Sequence, residues 1–145
     1  MIGHFIGELY RTRQRFLASR LADVSVSINA TEFSILMNLF HRGPLSPKEL
    51  EELLQINKSN VTRMVKSLEA KGVINTTPSS KDRRSIIVSI NPGQKQFIKN
   101  DLLPITEEVS AFFTQKEMDL LRKMVATFKK EIENESFGNN GKSQT

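Results

Sequence analysis

The sequence predicts a mainly α-helical chain with one small β-hairpin, in which a helix-turn-helix segment is followed directly by the hairpin. Three observations support this fold class. Residues 46–54 and 58–71 carry apolar side chains at helical spacing, residues 73–90 contain two β-branched runs around a Pro/Ser-rich turn, and long amphipathic stretches flank this region on both sides. Helix, turn, helix and hairpin in this order form a winged helix-turn-helix domain, in which the hairpin is the wing.

The boundaries of the helix pair can be placed from residues that favour helix ends. Ser46 with Glu49 three residues later forms a capping box, and Pro47 stands at the first helical position. Asn57 provides a cap for the second helix, and Gly72 is a favourable residue just past its end. The first helix therefore begins after residue 46, and the second lies between Asn57 and Gly72.

The second helix has an apolar side and a polar, basic side. At about 100° per residue the two sets face apart. They are Val61, Met64, Val65 and Leu68 on the apolar side, and Ser59, Thr62, Arg63 and Lys66 on the other. The apolar side is expected to pack on the domain, while the polar side, with Asn60, can reach base edges and phosphates in a major groove about 12 Å wide. The alternative interpretation is an ordinary solvated helix face.

The turn between the two β-branched runs carries an unusual density of charge. Its charged residues are Lys81, Asp82, Arg83 and Arg84. Cations on a small protruding loop can enter a minor groove, whose negative potential attracts arginine. The carboxylate of Asp82 can hold a neighbouring guanidinium in a fixed orientation. The alternative is an edge hairpin that its charges keep soluble.

Four short segments resemble, in order and spacing, the MarR family of winged helix-turn-helix transcriptional regulators. They are LSPKEL at 45–50, NVTRMV at 60–65, LEAKGVI at 68–74 and DRR at 82–84 with its following strand. The flanking helices agree with this resemblance from about residue 2 to residue 132. It implies a homodimeric regulator, often a repressor, that binds a near-palindromic DNA operator and is often released by a small ligand or by oxidation.

The resemblance also implies roles for individual residues. It makes Ser59, Asn60, Thr62 and Arg63 readers of bases or phosphates in the major groove, Asp82 the brace of the wing and Arg84 the minor-groove arginine. The full set of candidate DNA contacts is Ser46, Lys58, Ser59, Asn60, Thr62, Arg63, Lys66, Lys81, Asp82, Arg83 and Arg84. Family members commonly carry a basic residue where this chain has Thr76, which puts phosphate contacts at the wing base in doubt.

Composition limits the alternatives. The chain has 145 residues, which is one domain-sized unit, with 21 basic and 16 acidic side chains and a net charge of +5. The excess lies in residues 1–90, because residues 91–145 carry eight charges of each sign. This distribution fits a nucleic-acid face joined to an assembly module.

Several classes of function find no support in the sequence. Cysteine is absent, so disulfides and thiol-based sensing of oxidants are excluded. His4 and His41 lie on different predicted elements, and no metal site or cofactor is expected. No catalytic Ser/His/Asp set, phosphate-binding glycine loop or carboxylate pair is found, so an enzyme is not expected. Without a membrane-length apolar segment or a signal peptide, a soluble cytoplasmic protein is expected.

The terminal helices are expected to form a homodimer. Residues 1–30 form the N-terminal dimerisation helix, 31–91 the winged region, 92–135 the C-terminal dimerisation helices and 136–145 a disordered tail, all in one structural unit. These helices carry more apolar side chains than a small winged domain can bury, which indicates an interface between chains. Pro104 is expected to kink or break its helix. Thr114 with Glu117 forms another capping box.

A ligand pocket is implied by the resemblance at the junction of the terminal helices and the winged region. The candidate lining residues are Arg13, Phe16, Phe33, Met37 and Phe40. Arg13 could pair with an acidic aromatic ligand. From the sequence alone, aromatic and methionine side chains such as those of residues 31–40 are more often plain core than pocket walls.

The favoured interpretation is a dimeric, ligand-responsive DNA-binding regulator. Two alternatives stay open: a winged-helix module that binds another protein instead of DNA, and a regulator without any small-molecule ligand. Salt dependence of binding distinguishes DNA from a protein partner.

Overall fold

The computed structural model describes the backbone of residues 1–143 and the side chains of residues 1–135. Its elements confirm a mainly α-helical fold with a two-stranded hairpin. In chain order they are α1 (Ile2–Leu21), α2 (Ala30–Arg42), α3 (Pro47–Leu54), α4 (Lys58–Ala70), β1 (Ile74–Pro78), β2 (Ile86–Ile90), a 3₁₀ turn (Pro92–Gln94), α5 (Lys95–Phe97), a π-helical segment (Ile98–Leu102), α6 (Leu103–Ala111) and α7 (Gln115–Ser143).

The chain divides into two compact units, Met1–Thr106 and Glu107–Thr145, where the sequence predicted one. The buried apolar core lies in the first unit, and no described residue after Ile105 belongs to it. Leu17 and Leu21 bring the C-terminal half of α1 into this core. The fully buried residues around them come from α2, α3, α4, the wing and the segment before α6: Ile35, Leu36, Leu50, Val61, Leu68, Val73, Val88, Ile98 and Leu102.

The predicted ends of the helix pair are confirmed. Ser46 Oγ accepts the Glu49 amide and Glu49 Oε1 accepts the Ser46 amide, each at 3.1 Å, so α3 begins with a capping box. Asn57 Oδ1 accepts the Asn60 amide at 2.9 Å and caps α4. Gly72 follows α4 with a φ of 75°, a backbone conformation that glycine adopts without steric cost. These ends fix the direction in which α4 leaves the turn.

The wing is an antiparallel hairpin attached to the helices by a third extended segment. β1 pairs with β2 from Ile74↔Ile90 to Pro78↔Ile86. Leu45, just before α3, exchanges two backbone hydrogen bonds with Val88, at 3.0 and 2.7 Å. Because Val88 is fully buried, the hairpin base is part of the core and only the tip projects.

The helix interruption expected at Pro104 is present as a change of helix type. Pro104 has no N–H and its ring crowds the carbonyl four residues earlier. Just before it, the Leu103 N–H donates to Ile98 O, five residues back, and residues Ile98–Leu102 are π-helical. The wider turn accommodates the proline without ending the helical path.

The second unit consists of the end of α6 and the long α7. Thr114 Oγ1 accepts the Glu117 amide at 3.1 Å and Glu117 Oε1 accepts the Thr114 amide at 2.9 Å, as the capping box predicted. Hydrogen bonding of the Glu117 carboxylate by the Thr114 amide, and to a smaller extent by the Thr114 side chain, lowers the pKa of Glu117 from its ordinary value. α7 continues to Ser143, although composition predicted a disordered tail from residue 136; extending an existing helix adds one hydrogen bond per residue. Residues 144–145 of that predicted tail lie outside the described residues.

Two long helices expose apolar side chains. On the N-terminal half of α1 these are Ile2, Phe5, Ile6, Leu9 and Tyr10, and on α7 they are Leu120, Leu121, Met124, Val125, Phe128 and Ile132. Exposed apolar sets of this size on a protein surface mark sites of interaction. None of the described helices is both long and apolar enough to cross a membrane.

Candidate nucleic-acid interface

The N-terminal half of α4 borders an open groove of about 850 Å³. It is lined by Asn57, Lys58, Ser59, Thr62, Arg63 and Lys66. Five of these six were predicted DNA contacts, and the structure brings them together on one surface. On the other side of the helix, Val61, Val65 and Leu68 are buried in the core, as the apolar pattern predicted. The helix therefore presents hydroxyls and cations outward from a fixed apolar base.

Hydrogen bonds within α4 order the side chains of this groove. Asn57 Oδ1 accepts both the Asn60 amide at 2.9 Å and the Ser59 hydroxyl at 3.0 Å. Asn60 Oδ1 in turn accepts from Arg63 Nη2 at 2.9 Å. Since arginine has five N–H donors in a planar fork, this bond orients the guanidinium and leaves other donors for a ligand. Asn60 thus lies beside the groove as the residue that orients Arg63.

Ser46 lies at the start of α3, half-buried, as the cap of that helix. Its hydroxyl oxygen accepts the Glu49 amide. A hydroxyl that accepts one bond can still donate its own proton. This geometry leaves the Ser46 hydroxyl able to donate to DNA, for which the sequence made Ser46 a candidate contact.

The wing tip is ordered by Asp82, but in a different way from the prediction. Asp82 Oδ1 accepts the backbone amide of Arg84 at 3.0 Å, and Oδ2 accepts the Ser85 hydroxyl at 3.4 Å. The backbone adds two more bonds, from Ser85 N to Asp82 O at 3.0 Å and from Ser79 N to Ser85 O at 2.9 Å. In this structure the Asp82 carboxylate binds donors of the turn and not a guanidinium, because its short side chain lies close to the turn's own amide and hydroxyl groups.

The three cations of the tip, Lys81, Arg83 and Arg84, are exposed. Across the described side chains, none of them forms an ion pair. An unpaired cluster of like charge is repulsive in the free protein and is stabilised by a polyanion. The tip therefore has the electrostatic character of an anion-binding surface.

Thr76, at the position where the family resemblance implied a basic residue, has a partner within the domain. Its hydroxyl donates to Glu69 Oε2 near the end of α4. This bond ties β1 to α4. It also places a carboxylate, not a cation, beside the wing base.

Glu32 is a functional candidate that the sequence patterns did not reveal. It is the one charged residue among the buried positions described, only 2 % exposed. It forms a capping box with Asn29, and its other carboxylate oxygen contacts α4. The spacing Asn29-x-x-Glu32 could have indicated the cap, but the burial depends on tertiary packing.

The candidate ligand residues do not together line either of the two grooves described here. Phe33 and Met37 are buried in the core, where the Thr106 hydroxyl lies 3.4 Å from Met37 Sδ. Phe40 borders a different groove, of about 640 Å³, between the end of α2, the wing strands and the start of α5. The Phe33 and Met37 side chains match the plain-core alternative.

Arg13 and Phe16 lie on α1 at the surface of the first unit. Arg13 Nη2 donates to Ser34 Oγ at 3.1 Å, and partial desolvation there lowers the pKa of Arg13 from its ordinary value. An arginine remains protonated in spite of such a shift. The Phe16 ring lies 4.7 Å from the guanidinium carbon of Arg20. Both side chains are already engaged within the protein.

No group of three or more His, Cys, Asp or Glu side chains that could hold a metal ion occurs among the described residues. His4 lies 3.3 Å from Glu8 on the exposed side of α1. His41 packs edge-on against Phe40 near the end of α2.

Comparison with known proteins connects this surface with a family. The model of the MarR family matches residues 28–86. The Salmonella typhimurium multiple antibiotic resistance protein MarR is 29% identical over 91 residues, covering 63% of this chain and 62% of that protein. The uncharacterised HTH-type transcriptional regulator YwaE of Bacillus subtilis is 31% identical over 118 residues, covering 80% and 64%. The chain therefore spans less than two thirds of the length of these curated relatives.

Solved structures share the fold over most of the chain. The transcriptional regulator BldR from Sulfolobus solfataricus superposes with a TM-score of 0.72 at 26% identity, covering 89% of this chain and 93% of that one. A mutant of E. coli MarR in complex with operator DNA superposes with a TM-score of 0.68 at 22% identity, covering 88% of this chain and 92% of that one. The DNA binding of Bordetella bronchiseptica BpsR is regulated by 6-hydroxynicotinic acid. Its structure superposes with a TM-score of 0.71 at 20% identity, covering 86% of this chain and 92% of that one.

Proposed function

We propose that this chain is a MarR-type DNA-binding transcriptional regulator that acts as a homodimer on a near-palindromic operator. The observation that carries this proposal is the groove on α4, in which hydroxyls and cations line one open surface above a buried apolar base. Side chains of this kind bind base edges and phosphates. A regulator of this kind works in the compartment that holds the DNA, which we propose is the cytoplasm.

Two parts of the winged region divide the work of recognition. The exposed Thr62 hydroxyl and the oriented guanidinium of Arg63 contact the major groove, where arginine can bind guanine by two hydrogen bonds. Lys58 and Lys66 border the same groove and contact phosphates. Arg84, on the tip that Asp82 orders, enters the neighbouring minor groove. We refer to α4 as the recognition helix.

A dimer is required because one winged region makes few contacts. The apolar side chains exposed on α1 and α7 supply surface for a second chain. In a symmetric dimer, two recognition helices about 34 Å apart reach successive major grooves on one face of the duplex. The two-fold symmetry of the protein then dictates a near-palindromic operator.

We propose that the regulator is a repressor and that a small aromatic acid releases it. BpsR, which shares the fold, is regulated by 6-hydroxynicotinic acid. In this chain Arg13, on α1, is the candidate to pair with the ligand carboxylate, after exchanging its bond to Ser34. Such a ligand must bind the DNA-incompetent arrangement more tightly than the DNA-bound one, because equal affinity for both changes nothing.

The competing function is binding of another protein by the winged helix. The charges on the described surface do not favour it. Three unpaired cations on the wing tip fit a polyanion better than a typical protein interface, whose centre is depleted of charge. A small enzyme is not supported, because the two grooves described above lack a nucleophile with an adjacent base.

The test is selection of duplexes from a random pool, followed by mobility-shift titration of the recovered sequence at several salt concentrations. We expect a palindrome and a log-log salt slope of about −0.9 for each phosphate neutralised. Arg63→Ala should lose the preference for that sequence, whereas Lys123→Ala on α7 serves as the matched charge control. A flat salt response would exclude DNA as the partner.

A further inference from the structure

Polar side chains join α2 to the inner side of α4 at three successive turns. Asn29 Nδ2 lies 3.5 Å from Met64 Sδ, the Ser67 hydroxyl donates to Glu32 Oε2 at 3.0 Å, and Lys71 Nζ lies 3.0 and 3.3 Å from the two Glu32 oxygens. We refer to Glu32, Ser67 and Lys71 as the Glu32 clasp. It holds the recognition helix from the side that does not face the groove.

The central carboxylate of this clasp is fully engaged. Glu32 Oε1 also accepts the Asn29 amide at 3.0 Å, so both oxygens bind donors while the residue is 2 % exposed. Burying a carboxylate carries a desolvation cost that apolar packing at the same place would avoid. Buried ionic groups contribute little to net stability but can fix one register of packing. The clasp therefore points to a geometrical role.

The register of α4 matters for the groove on its other side. Apart from the contact between Asn29 and Met64, the inner side packs through the apolar side chains of Val61, Val65 and Leu68. The bond between Glu69 and Thr76 joins α4 to the wing. Apolar packing is non-directional and tolerates small rotations. With side-chain tips about 6 Å from a helix axis, a rotation of about 20° moves them by about 2 Å. That shift is enough to break the hydrogen-bond geometry of a base contact.

We propose that the Glu32 clasp sets the rotation of the recognition helix, and that Glu32 is a positioning residue for sequence-specific DNA binding. Hydrogen bonds at residues 67 and 71, one turn apart, define both the rotation and the axial position of α4. The inference rests on the proposed function, because it assigns an effect on operator recognition. It separates two quantities: affinity for the operator depends on the clasp, and affinity for unrelated duplex, which depends on charge alone, does not.

The test compares Glu32→Gln with wild type on the selected operator and on a scrambled duplex of the same length. The substituted side chain keeps an oxygen in place of Oε1 for the Asn29 amide, but an amide nitrogen replaces Oε2. The negative charge and the 3.0 Å bond from Lys71 are lost, and the 3.3 Å contact of Lys71 with the retained oxygen remains. We expect operator affinity to fall about tenfold, with scrambled-duplex affinity within about twofold and an unchanged salt slope.

The matched control is Asp101→Asn. Asp101 Oδ2 accepts the Ser25 amide at 2.9 Å and the Ser25 hydroxyl at 2.7 Å, so it also joins two segments through a carboxylate, but these bonds involve no residue of α4. We expect this variant to keep the wild-type ratio of operator to scrambled affinity. Both variants are measured at a temperature where circular dichroism shows full folding, so that lost stability does not enter the ratio.

The outcomes separate the inference from the function on which it rests. A wild-type protein that binds both duplexes equally overturns the proposed function. A wild-type preference that Glu32→Gln retains in full overturns the role of the clasp and leaves the function intact. Should Glu32→Gln fail to fold, Ser67→Ala removes a single bond to the same carboxylate; a few-fold loss of preference supports the clasp, and no loss overturns it.

Discussion

Asp82→Ala tests how the wing tip is organised. In the structure the Asp82 carboxylate binds the Arg84 amide at 3.0 Å and the Ser85 hydroxyl at 3.4 Å, and it forms no ion pair with a guanidinium among the described side chains. Alanine removes both bonds. Because the tip is exposed, we expect the free energy of unfolding to change by less than about 1 kcal/mol.

The effect on DNA binding should be larger than the effect on stability. Without the Asp82 bonds, the backbone of the tip must be ordered again when it binds. Fixing the backbone of one residue costs about 1–2 kcal/mol. For the two wings of a dimer, the added cost of ordering the tips on binding is about 2–4 kcal/mol, which corresponds to an affinity loss of about 30- to 700-fold.

The assay is mobility shift or fluorescence anisotropy on the operator, with Asp82→Asn as the matched control. Asparagine keeps an oxygen that can accept the Arg84 amide, and it lacks the negative charge, as alanine does. Any gain from removing a negative charge near phosphates is therefore common to both variants. We expect Asp82→Asn to bind within a few-fold of wild type and Asp82→Ala to bind far more weakly.

Two results would contradict this account of the wing. If Asp82→Asn binds as weakly as Asp82→Ala, the carboxylate acts through its charge on a guanidinium and the turn is secondary. If both variants bind like wild type, the order of the tip contributes nothing to DNA binding.

Three further predictions follow from the surfaces and the capping boxes. Arg84→Ala should reduce the magnitude of the log-log salt slope by about 0.9 per wing, because a cation in the minor groove neutralises phosphate charge; an unchanged slope would contradict the position of Arg84 in that groove. Phe128→Glu places a charge on a side chain that is 52 % exposed in the single chain; if α7 pairs with a second chain, sedimentation should show a dimer weakened by about 2 kcal/mol or more, and an unaltered dimer would contradict the interface. The depressed pKa of Glu117 means that its stabilising contribution is present above its ordinary value of 4.5 and is lost as the pH falls through the lower folded value. The thermal stability should therefore fall less steeply for Glu117→Gln as the pH is lowered from 6 to 3, and parallel curves would exclude the effect.

Local sequence signals predicted the fold well where short-range chemistry decides the structure. The boxes at Ser46 and Thr114, the cap at Asn57 and the left-handed glycine at position 72 depend on residues within one turn of each other. The apolar and polar sides of α4 follow from helical periodicity. Features of this kind can be found in a sequence because no distant residue competes with them.

Features that depend on distant or competing partners could not be predicted in the same way. Glu32 is polar in the sequence, and its burial becomes possible only because Ser67 and Lys71, 35 and 39 residues away, supply donors. For Asp82 the charges of the tip suggested a guanidinium as the partner, whereas in the structure its carboxylate accepts the backbone amide of Arg84. Phe33 and Met37 are buried in the core, which the sequence alone could not separate from a place in a pocket wall.

The recognition surface needs two kinds of support, one for its side chains and one for the helix that carries them. Within α4, the Asn60 bond to Arg63 orients one side chain but does not fix where the helix itself lies. That position is set by α2, through the buried clasp on the opposite side. Because base contacts require both, a substitution at Glu32 should affect operator recognition without touching DNA. In the wing, Asp82 has a role similar to that of Glu32. It binds the backbone amide of Arg84 and so orders the segment that carries this cation.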